Sequence, residues 1–196
     1  VAFLTAQNKE STSPFATWGW TCLFVLVLLS VLPTDRSQAT AFKPAQVKAA
    51  FIYNLASFVT WPDKTAQAGN EPFVIAVLGD DEIAGNLKIL TRDERIRKRP
   101  VVIRRCASIA EIGVGRILFV GASMARDWSK IRKVLAGRSI LTVGDSDALI
   151  RAGSMVNLIQ RGRRIHLEIN IEAARKAGLH FNSKLLKVAR IVRSKP

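Results

Sequence analysis

Two runs of apolar residues end in the same pair. "PFVIAVLGDD" (Pro72 to Asp81) and "SILTVGD" (Ser139 to Asp145) each pass almost without interruption from apolar residues into Gly-Asp. An unbroken apolar run of four to eight residues needs cover on both of its faces. A parallel sheet between two layers of helix provides that cover. The glycine permits the turn at the strand end, and the aspartate can cap a following helix. "PVVIRRC" (Pro100 to Cys106) and "GRILFVG" (Gly115 to Gly121) read as further strands. "EIAGNLKIL" and "ARDWSKIRKVLAG" read as the helices between, the second stopped by Gly137. Strands alternating with helices predict right-handed βαβ units.

The pattern changes at both ends of this region. Upstream, "AQVKAAFIYNLASFVTW" (Ala45 to Trp61) has Val47, Phe51, Leu55, Phe58 and Val59 at helical spacing, between Pro44 and Pro62. Downstream, "GSMVNLIQRGRRIHLEINI" predicts two strands joined around Arg161-Gly162. "IEAARKAG" predicts a helix capped by Asn170 and stopped at Gly178, and "SKLLKVARIV" a last helical segment. The fold expected is α/β: a mainly parallel sheet with flanking helices and a C-terminal hairpin, in one compact domain over residues 42–196.

Residues 1–41 stand apart. "WGWTCLFVLVLLSVL" (Trp18 to Leu32) is dense, apolar and uncharged, at about 15 residues shorter than the roughly 20 a spanning helix needs. Ala39-Thr40-Ala41 would allow cleavage before Phe42. The reading is a secretory signal peptide and a periplasmic protein, with an uncleaved inner-membrane anchor as the alternative. Export would leave Cys106 as the single thiol, so no internal disulfide can form. Cys106 is expected either as a small buried hydrophobe or as an exposed thiol able to pair with another chain.

The net charge is +15, from 30 Lys and Arg against 15 Asp and Glu, and it favours acidic partners. The basic run "TRDERIRKRPVVIRR" (Thr91 to Arg105) is read as a solvated connecting loop or as a patch facing an anionic membrane surface or acidic protein. No aromatic residue interleaves its charges, which argues against a single-stranded nucleic-acid site. The triplet Gly144-Asp145-Ser146 matches the signature of one class of serine esterase. That chemistry needs a histidine activated by an aspartate. Only His166, mid-strand, and His180 are on offer, neither in an Asp-x-x-His sequence. Ser146 is therefore read as a helix cap rather than a nucleophile. No metal-ligand spacing and no dinucleotide fingerprint is present, and neither metal nor cofactor is expected.

"KAAFIYNLASFVTWP", "FVIAVLGDD", "LTVGDSDALIRAGSMVNLI" and "RIHLEINIEAARKAGLHFNSKLLKVARIV", in that order, resemble the YfiR family of small exported bacterial proteins. The resemblance spans about Val47 to Val192. It implies regulation without catalysis. Members are periplasmic, tend to dimerise, and inhibit the inner-membrane diguanylate cyclase YfiN by binding its periplasmic sensor domain, thereby controlling cyclic di-GMP and biofilm formation. It also implies a partner contact in the C-terminal region, at Glu168, Asn170, Ser183, Lys184 and Leu185. Glu168 would either reach a basic group on the partner or pair locally with a neighbouring arginine such as Arg163 or Arg164. The resemblance further associates members with cysteine pairs, which Cys106 cannot form alone. A small-molecule sensor or carrier, with its pocket at the carboxyl ends of the strands, is the alternative function.

Overall fold

The computed structural model describes residues 42–62 and 71–193, within a compact unit running from Phe42 to Pro196. The leader expected over residues 1–41 lies outside the described residues. The apolar runs become β2 (Phe73–Leu78), β5 (Ile117–Val120) and β6 (Leu141–Gly144), buried at every position. β4 (Arg99–Cys106) pairs parallel with β2 on one side of this trio, and β7 (Val156–Arg161) pairs parallel with β6 on the other. β4 has fewer buried positions, as a strand near the sheet margin tolerates. The order β4-β2-β5-β6-β7 runs second, first, third, fourth, fifth in chain order, so the winding direction reverses between β2 and β5. β8 (Arg164–Ile169) joins antiparallel through the expected hairpin, whose turn uses Gly162 at φ 60°. β3 (Arg95–Ile96) and β10 (Arg190–Ile191) form the two margins.

Helices cover both faces. α1 (Pro44–Phe58) and α2 (Asp81–Leu90) pack on the side of Ile75, Val77, Ile117, Phe119, Leu141 and Val143. α3 (Trp128–Leu135) and α4 (Asp147–Arg151) bring Trp128, Ile131 and Leu149 to the opposite side, against Leu78, Leu118 and Val120. Each strand–Gly-Asp turn leads into a capped helix. Asp80 Oδ1 accepts from the Ile83 amide at 2.9 Å, opening α2 with Asp81 and Glu82 in its first turn. Such caps are each worth about 1 kcal/mol.

Four expectations need correction. Of the predicted helical stripe only Leu55 and Val59 are buried, and the other buried positions of α1 are Ala45, Ala49, Ile52 and Ala56. Gln46, Asn54 and Ser57 form an exposed polar side, and the side with small residues, which allows a close approach, faces the core. Phe51 and Phe58 pack from the flanks. α1 also stops at Phe58: Val59–Thr60 form β1, antiparallel to β9 (His180–Phe181). The segment from Ser183 to Val192 is not one helix. α6 (Ser183–Val188) is followed by β10, parallel to β8. Finally, the basic segment is a hairpin of β3 and β4 rather than a loop. Its turn holds Arg97 and Lys98 at φ 52° and 69°, a region that costs a non-glycine residue about 1–2 kcal/mol. Arg97 compensates through its side chain, donating to the Val59 carbonyl at 2.9 Å and lying over the Trp61 ring at 5.6 Å.

The reversal between β2 and β5 is where ligands commonly enter such sheets. Here it is filled. Ser123 Oγ donates to the Gly79 carbonyl at 2.9 Å, and a Cβ on Gly121 would lie 2.5 Å from that same oxygen. At this switch point the loops that follow β2 and β5 are thus in direct contact. Gly121→Ala should therefore lose about 1–3 kcal/mol in urea unfolding, because the obstacle is backbone. Gly85, exposed inside α2 with nothing within 4 Å of its would-be Cβ, is the control. Gly85→Ala should gain roughly 0.5–1 kcal/mol. Equal effects at the two sites would contradict the packing described.

Candidate functional site

The Gly-Asp-Ser triplet resolves as a turn. Ser146 Oγ accepts from the Leu149 amide at 3.4 Å and caps α4. Asp145 Oδ2 accepts from Lys48 Nζ of α1 at 2.9 Å, with both side chains largely buried. His166 and His180 are exposed on β8 and β9. Cys106 is buried at the end of β4, its thiol 3.5 Å from the Glu111 carbonyl, and burial pushes the thiol pKa up. The reading as an exposed, reactive thiol is thereby overturned, since reactivity belongs to the thiolate.

The chemistry that stands out lies at the C-terminal margin of the sheet. Glu168 is 1% exposed. Strand register places Asn157 of β7 opposite it on one side and Arg190 of β10 on the other. Asn157 Nδ2 donates to Glu168 Oε2 at 3.2 Å, and Arg190 Nε donates to Oε1 at 3.1 Å, with a second, shorter bond from Nη2. Arg161 adds a cation at 3.9 Å. Burying a carboxylate is costly unless it is paired and hydrogen-bonded in this way. The arginines are not Arg163 and Arg164, the neighbours suggested by sequence. In an extended strand four residues span about 13 Å, so Arg164 is far from the carboxylate. Arg190 reaches it because β10 runs alongside.

The other residues implied by the resemblance divide by exposure. Asn170 is buried and caps α5 (Ile171–Lys176), its Oδ1 accepting from the Ala173 amide at 3.0 Å. Leu185 is buried in the α1-side core. Ser183 and Lys184 are exposed in the first turn of α6, where Asn182 Oδ1 accepts from the Lys184 amide at 2.8 Å. Beside them lie two residues that sequence reasoning passed over: Val188, 75% exposed, and Ile191, 47% exposed. Val188 fits the apolar spacing of a helix stripe with Leu185, Leu186 and Val192, whereas Ile191 lies off that stripe. The break after Val188 turns them outward. β10 pairs only with Glu168 and Ile169, so among the described residues Arg164 to Leu167 of β8 keep their outer edge unpaired. A hollow of about 370 Å³ lies there, lined by Phe51, Ile165, His166, Val188 and Arg190.

A family model described as YfiR/HmsC-like (DUF4154) matches residues 45–190. The chain belongs to the YfiR/HmsC-like family. Among solved structures, the ABC domain from Streptococcus pneumonia in complex with L-Trp is 12% identical with a TM-score of 0.52, over 76% of this chain and 60% of that one. A conserved domain protein from Vibrio cholerae o1 biovar eltor is 11% identical with a TM-score of 0.47, over the same shares. The chain thus spans 60% of the length of each. The first likeness shows a shared α/β fold and no more. Among the described residues, no helix is long and apolar enough to cross a membrane.

The two partners of the buried pair differ in what their loss leaves behind. Arg190→Ala strands a carboxylate in the interior with only Asn157 and the more distant Arg161, and should cost about 3 kcal/mol. Glu168→Leu lets the largely exposed Arg190 return to water and orphans only the Asn157 amide, at about 1–2 kcal/mol. Urea unfolding of both variants checks the order. A larger loss in Glu168→Leu would refute the assignment of the charge burial to Glu168.

Proposed function

We propose that this protein holds a membrane-bound diguanylate cyclase, or a closely related membrane signalling protein, inactive by binding its periplasmic sensor domain. Export with removal of the leader near Phe42 belongs to the same reading. The contact surface is the C-terminal margin of the sheet, made by Ser183 and Lys184 of α6 with Val188 and Ile191. Glu168, Asn170 and Leu185 serve it from beneath: Glu168 fixes Arg190, Asn170 sets the turn into α5, and Leu185 anchors α6. The observation that carries the proposal is that a buried, fully engaged carboxylate pins a short segment whose outward side chains are apolar. An exposed apolar pair on an otherwise strongly basic chain suits a protein partner.

Inhibition requires only that the sensor's inactive conformation be bound more tightly than the active one. The full chain expressed beside its candidate cyclase should lower cellular cyclic di-GMP and should be retained by that cyclase in a membrane pull-down. Val188→Glu should weaken retention by about ten-fold or more, as central apolar contacts do, with an unchanged melting temperature. Cyclic di-GMP should rise in the same cells. Full retention and full repression by Val188→Glu would remove this margin from the interface. Unchanged cyclic di-GMP with the wild-type chain would refute the inhibitory reading itself.

A further inference from the structure

The amino ends of the strands, away from the C-terminal margin, hold a second feature. A cavity of about 810 Å³ opens where β2, β5 and β6 begin and β4 passes alongside. Arg99, Arg104, Arg116 and Arg138 line it, against the single carboxylate of Glu71. Neutral walls complete it, chiefly Val74, Val114 and Ile140.

The arginines are placed by the fold. Arg116 is positioned by its own amide, which donates to the Val74 carbonyl at 2.9 Å as β5 aligns with β2. Arg138 follows α3, where its amide donates to the Leu135 carbonyl at 3.0 Å. Arg104 Nη1 reaches the Val114 carbonyl at 3.3 Å and so steadies the loop that forms one wall. Among the described residues, no side-chain hydrogen bond or ion pair engages Arg116 or Arg138. Arg116 is half-buried, and burial, then the charge of Arg99, lowers its pKa. Folding thus gathers like charges around a hollow where each raises the cost of the others. Val114, at 81% exposed, adds an apolar side chain at the rim.

We propose that this cavity binds a small amphipathic anion, its phosphate or carboxylate group held by Arg104, Arg116 and Arg138 and its apolar portion lying against Val74, Val114 and Ile140. Guanidinium groups in a fork geometry suit such oxyanions, and partial burial strengthens the contact. A free organic anion and the headgroup of an anionic lipid share this chemistry. The site is independent of the C-terminal margin, because β4 and β10 stand towards opposite ends of the strand order.

The test uses the full chain purified after expression, with octyl phosphate as probe, octyl glucoside as the neutral amphiphile and inorganic phosphate as the anion alone. Calorimetry should show octyl phosphate binding more tightly than inorganic phosphate, and no binding of octyl glucoside. The double variant Arg116→Gln/Arg138→Gln should weaken octyl phosphate binding by at least about ten-fold, as loss of charged hydrogen bonds does. Val114→Asp changes only an exposed side chain and should abolish binding with the melting temperature unchanged, which keeps the test decisive if the double variant folds poorly. Flotation with phosphatidylglycerol vesicles separates the sources. Arginine-dependent flotation assigns the site to a lipid headgroup, and octyl phosphate binding without flotation assigns it to a free anion. Equal binding of octyl glucoside, or undiminished octyl phosphate binding by Val114→Asp, would overturn the proposal.

Discussion

A carboxylate withdrawn from water must be met by cations and donors, and Glu168 meets this requirement with residues from the two strands that flank its own. Asn157 comes from β7, Arg161 from the end of the same strand, and Arg190 from β10. The last of these makes the arrangement a constraint on the whole C-terminal third. After β8 the chain turns at Asn170, forms α5, pairs β9 with β1, and forms α6 before it returns to Glu168. Only that route delivers Arg190. The Val192 amide then donates to the Ile169 carbonyl at 2.9 Å, extending the clasp by backbone. The apolar residues of the margin are displayed because the segment carrying them is fastened at this point.

The central sheet was legible because its signals are local. β2, β5 and β6 are near-continuous apolar runs, and Asp80, Ser146 and Asn170 announce the helices they cap. The hairpin at Gly162 was marked by its turn. What sequence reasoning missed depends on which distant residues meet. α1 offers two apolar sides, one with Val47, Phe51 and Phe58 and one with the alanines and Ile52, and close packing favours the alanine side. The run from Ser183 to Val192 has helical spacing, yet its end adopts strand geometry because β8 offers an unpaired edge. The pairing of Glu168 with Arg190, 22 positions apart, is a consequence of that same strand. Among so many arginines, composition could not have selected it.

The sheet also allots its two kinds of surface differently from the common pattern for this strand order. The crevice between β2 and β5 at the carboxyl ends is occupied by the Gly79–Ser123 contact and the close approach at Gly121. Open volume lies instead at the amino ends, where the arginines gather, and at the margin beyond β8. The excess of positive charge is likewise concentrated at particular places, the β3–β4 hairpin and the arginine-lined cavity among them.

The clasp between Glu168 and Arg190 carries the account, and native-state hydrogen exchange tests it most directly. The Val192 amide should be well protected in the wild-type protein, because its bond to Ile169 opens only when β10 detaches from β8. In Arg190→Ala that protection should collapse while the amides of β2 and β5 keep theirs. Protection of Val192 that is the same in both proteins would show that the margin is held by something other than the buried carboxylate, and would contradict the account.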